Sequence, residues 1–131
     1  MTLAEAARIA GSFLASLGLA LGLTLIIELA VAAGVFGLRA KHEFAVIALA
    51  SIATNPALNI ILTLTMALIG RSSLADPPMP AILAALEILV VLVEWRLIAW
   101  ALPDRRNRAF FISLTMNATS LVAGLLLFGG R

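Results

Sequence analysis

Polar residues are so sparse along this chain that they act as punctuation. Between Arg8 and Arg39 the sequence is apolar apart from a few hydroxyls and one acid, Glu28. A second greasy stretch follows Lys41 and lasts to Ile69. A third starts after Asp76-Pro77-Pro78 and stops at Pro103-Asp104, and a fourth starts after Arg108. Each is as long as the roughly 20 residues that a helix needs to cross a bilayer. The pattern predicts four transmembrane helices over about 12–38, 44–69, 79–102 and 109–128. The proline-containing breakers and the short charged connections fix the boundaries. Short connections make sequential helices neighbours. The expected fold is therefore all-α: a polytopic membrane protein, an up-down four-helix transmembrane bundle in a single domain over 1–131. Residues 2–11, before Ser12, read either as an amphipathic lead-in along the surface or as extra helical turns.

Within the spans, the polar positions keep helical spacing. Ser51, Asn55, Asn59 and Thr63 are four apart and form one stripe. Ser113, Asn117, Ser120 and Gly124 form another. Glu87 and Glu94 share a face of the third helix, and Thr24 stands one turn before Glu28. At 1.5 Å per residue, Glu28 lies about 16 Å from Arg39 and Asn55 about 21 Å from Lys41, while Glu94 and Asn117 lie roughly 13 Å from their basic ends. In a hydrocarbon layer of about 30 Å these four fall near the middle. Glu87 and Asn59 fall nearer the other surface.

An isolated charge at that depth costs on the order of 3 kcal/mol. The three glutamates should therefore face the bundle interior. Arg96, two residues past Glu94, points round the helix and reaches for the interface, and no other basic residue sits mid-span. The acids must be protonated, bind a cation, or share protons with the amides. Pro56, in the stretch SIATNPALNIILTLT, lacks an N–H and collides with the Ile52 carbonyl. It is expected to break the second helix and free that oxygen. Glu28, Asn55, Asn59, Glu87, Glu94 and Asn117 are thus the candidate ion- or substrate-binding residues, with hard oxygen donors suited to a proton, Na⁺, Mg²⁺ or an organic cation. The competing reading is packing: membrane asparagines are often interhelical glue, worth about 0.6 kcal/mol. For the acids the functional reading is the stronger, since glue seldom uses them.

Composition narrows the chemistry. Residues are 63% hydrophobic and 12% charged, with a mean hydropathy of +1.12. There is no cysteine and one histidine, His42, so thiolate chemistry, disulfides and His-rich metal sites are excluded. No cofactor is expected, and no metal is assigned. The pI of about 10.5 rests on a net charge of only +2, which reads as topology bias and not as a nucleic-acid surface. Arg39, Lys41, Arg105, Arg106 and Arg108 lie in the first and third connections; Arg8, Arg71 and Arg131 lie at the opposite end. The excess places those two connections in the cytoplasm and both termini outside. Phe36, Phe44, Trp95, Trp100, Phe110 and Phe111 mark the same basic end as a firm interface. His42 and Glu43 are expected to be solvated there. The first apolar run is too long for a cleavable signal peptide.

The order glutamate, basic loop, S-x-x-x-N occurs twice: Glu28 with Ser51 and Asn55, then Glu94 with Ser113 and Asn117. This is the form of a parallel two-fold repeat. The pattern Thr54-Asn55-Pro56…Asn59 followed by Glu87…Val91…Glu94 resembles that of a group of small bacterial four-span membrane proteins. The resemblance covers the middle two helices. It implies a multi-pass place in a bacterial inner membrane, and it implies no activity. The length is similar to that of small fluoride channels and small multidrug exporters. The aromatic and asparagine motifs of the channels have no counterpart here, and Glu28 matches only loosely the first-helix glutamate of the exporters. The expected function is transport of a cation, or of a proton-coupled or cationic solute, by a bilayer-embedded homodimer. The alternative is a non-catalytic subunit that assembles with other membrane subunits. No nucleophile–base pair points to an enzyme.

Overall fold

The computed structural model describes residues 2–70 and 77–128. Arg71, Asp76 and Arg131, invoked above for charge bias and helix breaking, lie outside the described residues. Four α-helices account for most of the chain: α1 (Leu3–Gly34), α2 (Lys41–Ile69), α3 (Met79–Ala101) and α4 (Ala109–Phe128), with a short 3₁₀ turn at Pro103–Arg105 before α4. Among the described residues there is no strand.

Local chemistry sets the ends. Thr2 and Glu5 form a capping box: the Thr2 hydroxyl accepts from the Glu5 N–H at 3.2 Å, and the Thr2 N–H donates to Glu5 Oε2 at 2.8 Å. The helix therefore begins at Leu3, well before Ser12, and residues 3–11 are extra turns of α1. It stops at Gly34, short of the expected Leu38, where Gly37 takes a φ of 66° and Leu38 N–H returns to the Ala32 carbonyl at 3.1 Å. A left-handed Gly70, with a φ of 69°, closes α2. The expected break at Pro56 does not occur. The α-helix passes through it without interruption from Lys41 to Ile69. Proline deletes only one rung, and the neighbouring turns carry extra ties: Asn55 Nδ2 donates to the Ser51 carbonyl at 3.2 Å and Asn59 Nδ2 to the Asn55 carbonyl at 2.9 Å.

Helices α1, α2 and α4 are long and apolar enough to cross a membrane. The α3 helix is of comparable length but carries Glu87, Glu94 and Arg96 within one span. The principal packings are α1–α2, α2–α3, α3–α4 and α4–α1, which close a ring. Most large side chains outside the ring are apolar and exposed, such as Leu19, Ile26, Leu49, Leu68, Ile88 and Leu126, as lipid-facing surfaces are.

The two ends of the ring differ. At the end holding residues 35–40 and 102–108, Ala32, Leu38, Ile47, Ile98, Leu102, Ala109, Ile112 and Met116 pack into a dense core. At the other end the buried cluster is confined to α2 and α3, around Leu58, Leu62, Met79 and Val90. Glu43 fastens the dense end and corrects the expectation that it is solvated. One carboxylate oxygen accepts the Arg39 and Ala40 N–H groups at 2.9 and 3.0 Å, and the other accepts from Arg105 Nε at 2.9 Å. The side chain is buried, and these donors, the backbone N–H groups foremost, hold its pKa down at about 2. Arg96 is exposed, with its guanidinium 5.8 Å from the centre of the Trp95 ring, and Trp95 in turn meets Phe110 edge-on at 5.6 Å.

Candidate functional site

Just beyond the dense core, the polar stripes of the four helices meet. On α1, Glu28 is fully buried, as is Ser51 opposite it on α2. The Ser51 hydroxyl donates to Glu28 Oε2 and also lies 3.0 Å from the Ile47 carbonyl. Asn55, one turn further on, sits beside the same carboxyl. Glu28 Oε1 is buried without a hydrogen-bond partner.

A quarter-turn away on α2, the Thr54 hydroxyl reaches α3. It lies 2.6 Å from Glu94 Oε1 and 3.0 Å from the Ala50 carbonyl. Glu94 is fully buried. Its second oxygen accepts from Asn117 Nδ2 on α4, with Ser113 Oγ at 3.4 Å. Ser113 Oγ is also 2.9 Å from the Val91 carbonyl, and Asn117 Nδ2 is 2.9 Å from the Ser113 carbonyl. Two buried polar clusters, one turn apart on α2, therefore span the four helices: Glu28 with Ser51, and Thr54 with Glu94, Ser113 and Asn117. The repeat read from the sequence has a spatial counterpart, since each S-x-x-x-N faces the glutamate of its own half.

Asn59 and Glu87 stand apart from these clusters. With Asn55, Thr24 and Ser120 they line a cavity of about 300 Å³ to which all four helices contribute. Asn59, Ala20 and Leu23 also border a larger recess of about 740 Å³ beside α1, at the loosely packed end. Glu87 is half-buried and within electrostatic range of Glu28 and Glu94. Among the described residues, no three acid, histidine or cysteine side chains converge as a metal-ligand set.

Of the six candidate residues, Glu28, Glu94 and Asn117 lie in the buried clusters, Asn59 and Glu87 line the cavity, and Asn55 touches both. Thr54, Ser51 and Ser113 are equally part of the clusters and were not among the candidates. Their signal was present: a hydroxyl one turn before each asparagine, and Thr54 in the T-N-P triplet. Comparison with protein families, with curated proteins and with solved structures finds no match for this chain.

Proposed function

We propose that the chain is a small integral membrane transport protein, with all four helices spanning the bilayer as an up-down bundle, that moves a cation or a proton-coupled solute through the Glu/Asn layer. One observation carries this reading. Every side chain that donates to Glu28 or Glu94 also has a backbone carbonyl within hydrogen-bonding distance: Ile47 for Ser51, Ala50 for Thr54, Val91 for Ser113, and Ser113 for Asn117. Hydroxyls and amides on a helix can bond a carbonyl one turn back on their own helix, so these donors do not depend on the carboxylates for a partner. The carboxylates are additions to a scaffold that is satisfied without them. Their desolvation, costly at mid-membrane, is supported by no structural need.

The same geometry suits proton movement. Each hydroxyl has one hydrogen and two acceptors, one a carboxylate oxygen and one a carbonyl. A hydroxyl that turns from carboxylate to carbonyl allows the carboxyl to carry its own proton and donate in return. The site thus accommodates a proton, or releases it, without moving a helix. The dense core closes the path at one end of the bundle, while the 300 Å³ cavity and its recess leave the other end accessible.

The test is flux from proteoliposomes. Wild-type protein should dissipate an imposed proton gradient, alone or on addition of a cation, and Glu28→Gln and Glu94→Gln should reduce that flux at least tenfold while retaining helicity. Wild-type vesicles no leakier than empty ones, across protons, Na⁺, Mg²⁺ and organic cations, would overturn the reading.

A further inference from the structure

The cavity offers an unbalanced set of hydrogen-bonding groups. Asn55 and Asn59 each turn an Nδ2 back onto a carbonyl one helical turn away, at 3.2 and 2.9 Å. Ser120 directs its hydroxyl hydrogen to the Asn117 carbonyl at 3.0 Å, and Thr63, at the adjoining recess, does the same to Asn59 at 2.8 Å. Each amide keeps its oxygen and one further N–H, so the lining offers more acceptors than donors: amide oxygens, hydroxyl oxygens and the Glu87 carboxylate. Behind Asn55 stands Glu28, one turn beyond Thr24, its buried carboxyl beside the Asn55 amide. Among the described residues, no basic side chain lines the cavity.

A lining rich in acceptors selects the ligand. An anion meets the Glu87 carboxylate and, among the described lining residues, no basic side chain. A desolvated Mg²⁺ or Na⁺ needs several oxygens converging on one point, and among the described residues no three acidic, histidine or cysteine side chains gather as such a set. A cation that brings its own N–H groups matches the acceptors one for one. The remaining wall is leucine from all four helices, suited to a short hydrocarbon body. A cavity of about 300 Å³ has the volume of on the order of ten waters, enough for such an ion.

We propose that this cavity is a binding site for small protonated primary amines, held by their N–H donors between the Glu87 carboxylate and the amide oxygens of Asn55 and Asn59. The proposal rests on the transport reading and names its substrate class. The carboxylate supplies the charge, the amide oxygens fix the ammonium, and the leucines cover the alkyl chain.

The experiment measures binding to the full chain in lipid nanodiscs by calorimetry, at constant ionic strength, with n-butylammonium, methylammonium, tetramethylammonium and Na⁺. Butylammonium should bind best, and tetramethylammonium, which has charge but no N–H, at least tenfold more weakly. Glu87→Gln should weaken butylammonium at least tenfold, with Glu87→Asp restoring part of the loss. Glu87 lies outside the buried clusters, so both variants should keep the wild-type thermal transition. Equal binding of tetramethylammonium and butylammonium would overturn the donor-based selection. Unchanged binding in Glu87→Gln would overturn the site. Proton flux from proteoliposomes, read in parallel, separates the two readings. No amine binding with flux retained removes the substrate class and leaves transport standing; no binding and no flux removes both.

Discussion

At the scale of single residues, the site is organised by hydroxyls and amides that serve two acceptors at once. Removing a carboxylate therefore leaves little unsatisfied. Glu94→Leu deprives Asn117 of one acceptor, leaving it the Ser113 carbonyl and hydroxyl, and leaves Thr54 and Ser113 with their carbonyls, a cost of about 1 kcal/mol at most. A structural keystone would behave differently, since disrupting a needed buried charge pair costs about 3 to 5 kcal/mol. Glu28→Leu should even stabilise by about 1 kcal/mol or more, because Glu28 Oε1 is buried without a partner and an unmet buried polar atom is itself costly. Reversible unfolding in mixed micelles measures both. A loss of 3 kcal/mol or more in either variant would make the acids structural and weaken the transport reading. The stripes of Ser51, Asn55 and Asn117 were legible in the sequence because helical spacing alone places them. The role of Thr54 was not: spacing shows that it lies near Ser51, but not that α3 brings Glu94 against it.

At the scale of elements, periodicity and charge located the four helices, and the misjudged boundaries have specific causes. The early start of α1 depends on the Thr2–Glu5 capping box, a local motif hidden in a stretch that also reads as a surface lead-in. Pro56 reads as a break because it lacks an N–H and crowds the Ile52 carbonyl, at a cost on the order of 3 kcal/mol in an aqueous helix. In a membrane, though, the alternative to a helix is an unsatisfied backbone, and α2 stays intact with Asn55 and Asn59 bracing it. Pro56→Ala should therefore stabilise α2, by less than that 3 kcal/mol, and should lower flux if the unpaired Ile52 carbonyl takes part in it; unfolding and proteoliposome flux on one preparation measure both. Glu43 was unreadable for another reason. Its partner Arg105 is distant in sequence, and only the packing of the helix ends joins them. Its folded pKa of about 2 lies below the ordinary value of 4.5. A depressed acid contributes stability that is fully present above its unfolded pKa and is lost as pH falls through the folded one. Wild type should thus lose stability between about pH 4.5 and pH 2, and Glu43→Gln should be less stable at neutral pH and flatter across that window, read by thermal unfolding against pH.

At the scale of the whole molecule, the asymmetry between the two ends carries the argument about access. The dense core around Ile47, Ile112 and Met116 fills one end, tied across by Glu43 and Arg105, and the cavity bordered by Asn59, Thr24 and Glu87 lies toward the other. We propose from the excess of basic residues there that the sealed end is cytoplasmic, an orientation in which the cavity faces outward. The chain has no cysteine, which makes single introduced thiols clean reporters. In intact cells, an impermeant maleimide should label Thr2→Cys at the outer end, and should label Asn59→Cys and Thr24→Cys more slowly through the recess. Asn107→Cys, in the connection before α4, should react only after permeabilisation. Ile112→Cys and Met116→Cys, fully buried in the seal, should resist labelling from both sides. Labelling of Asn107→Cys but not Thr2→Cys would reverse the orientation and leave one-sided access intact. Labelling of Ile112→Cys at the rate of Asn59→Cys would remove the seal, and with it a cavity that opens to one side at a time.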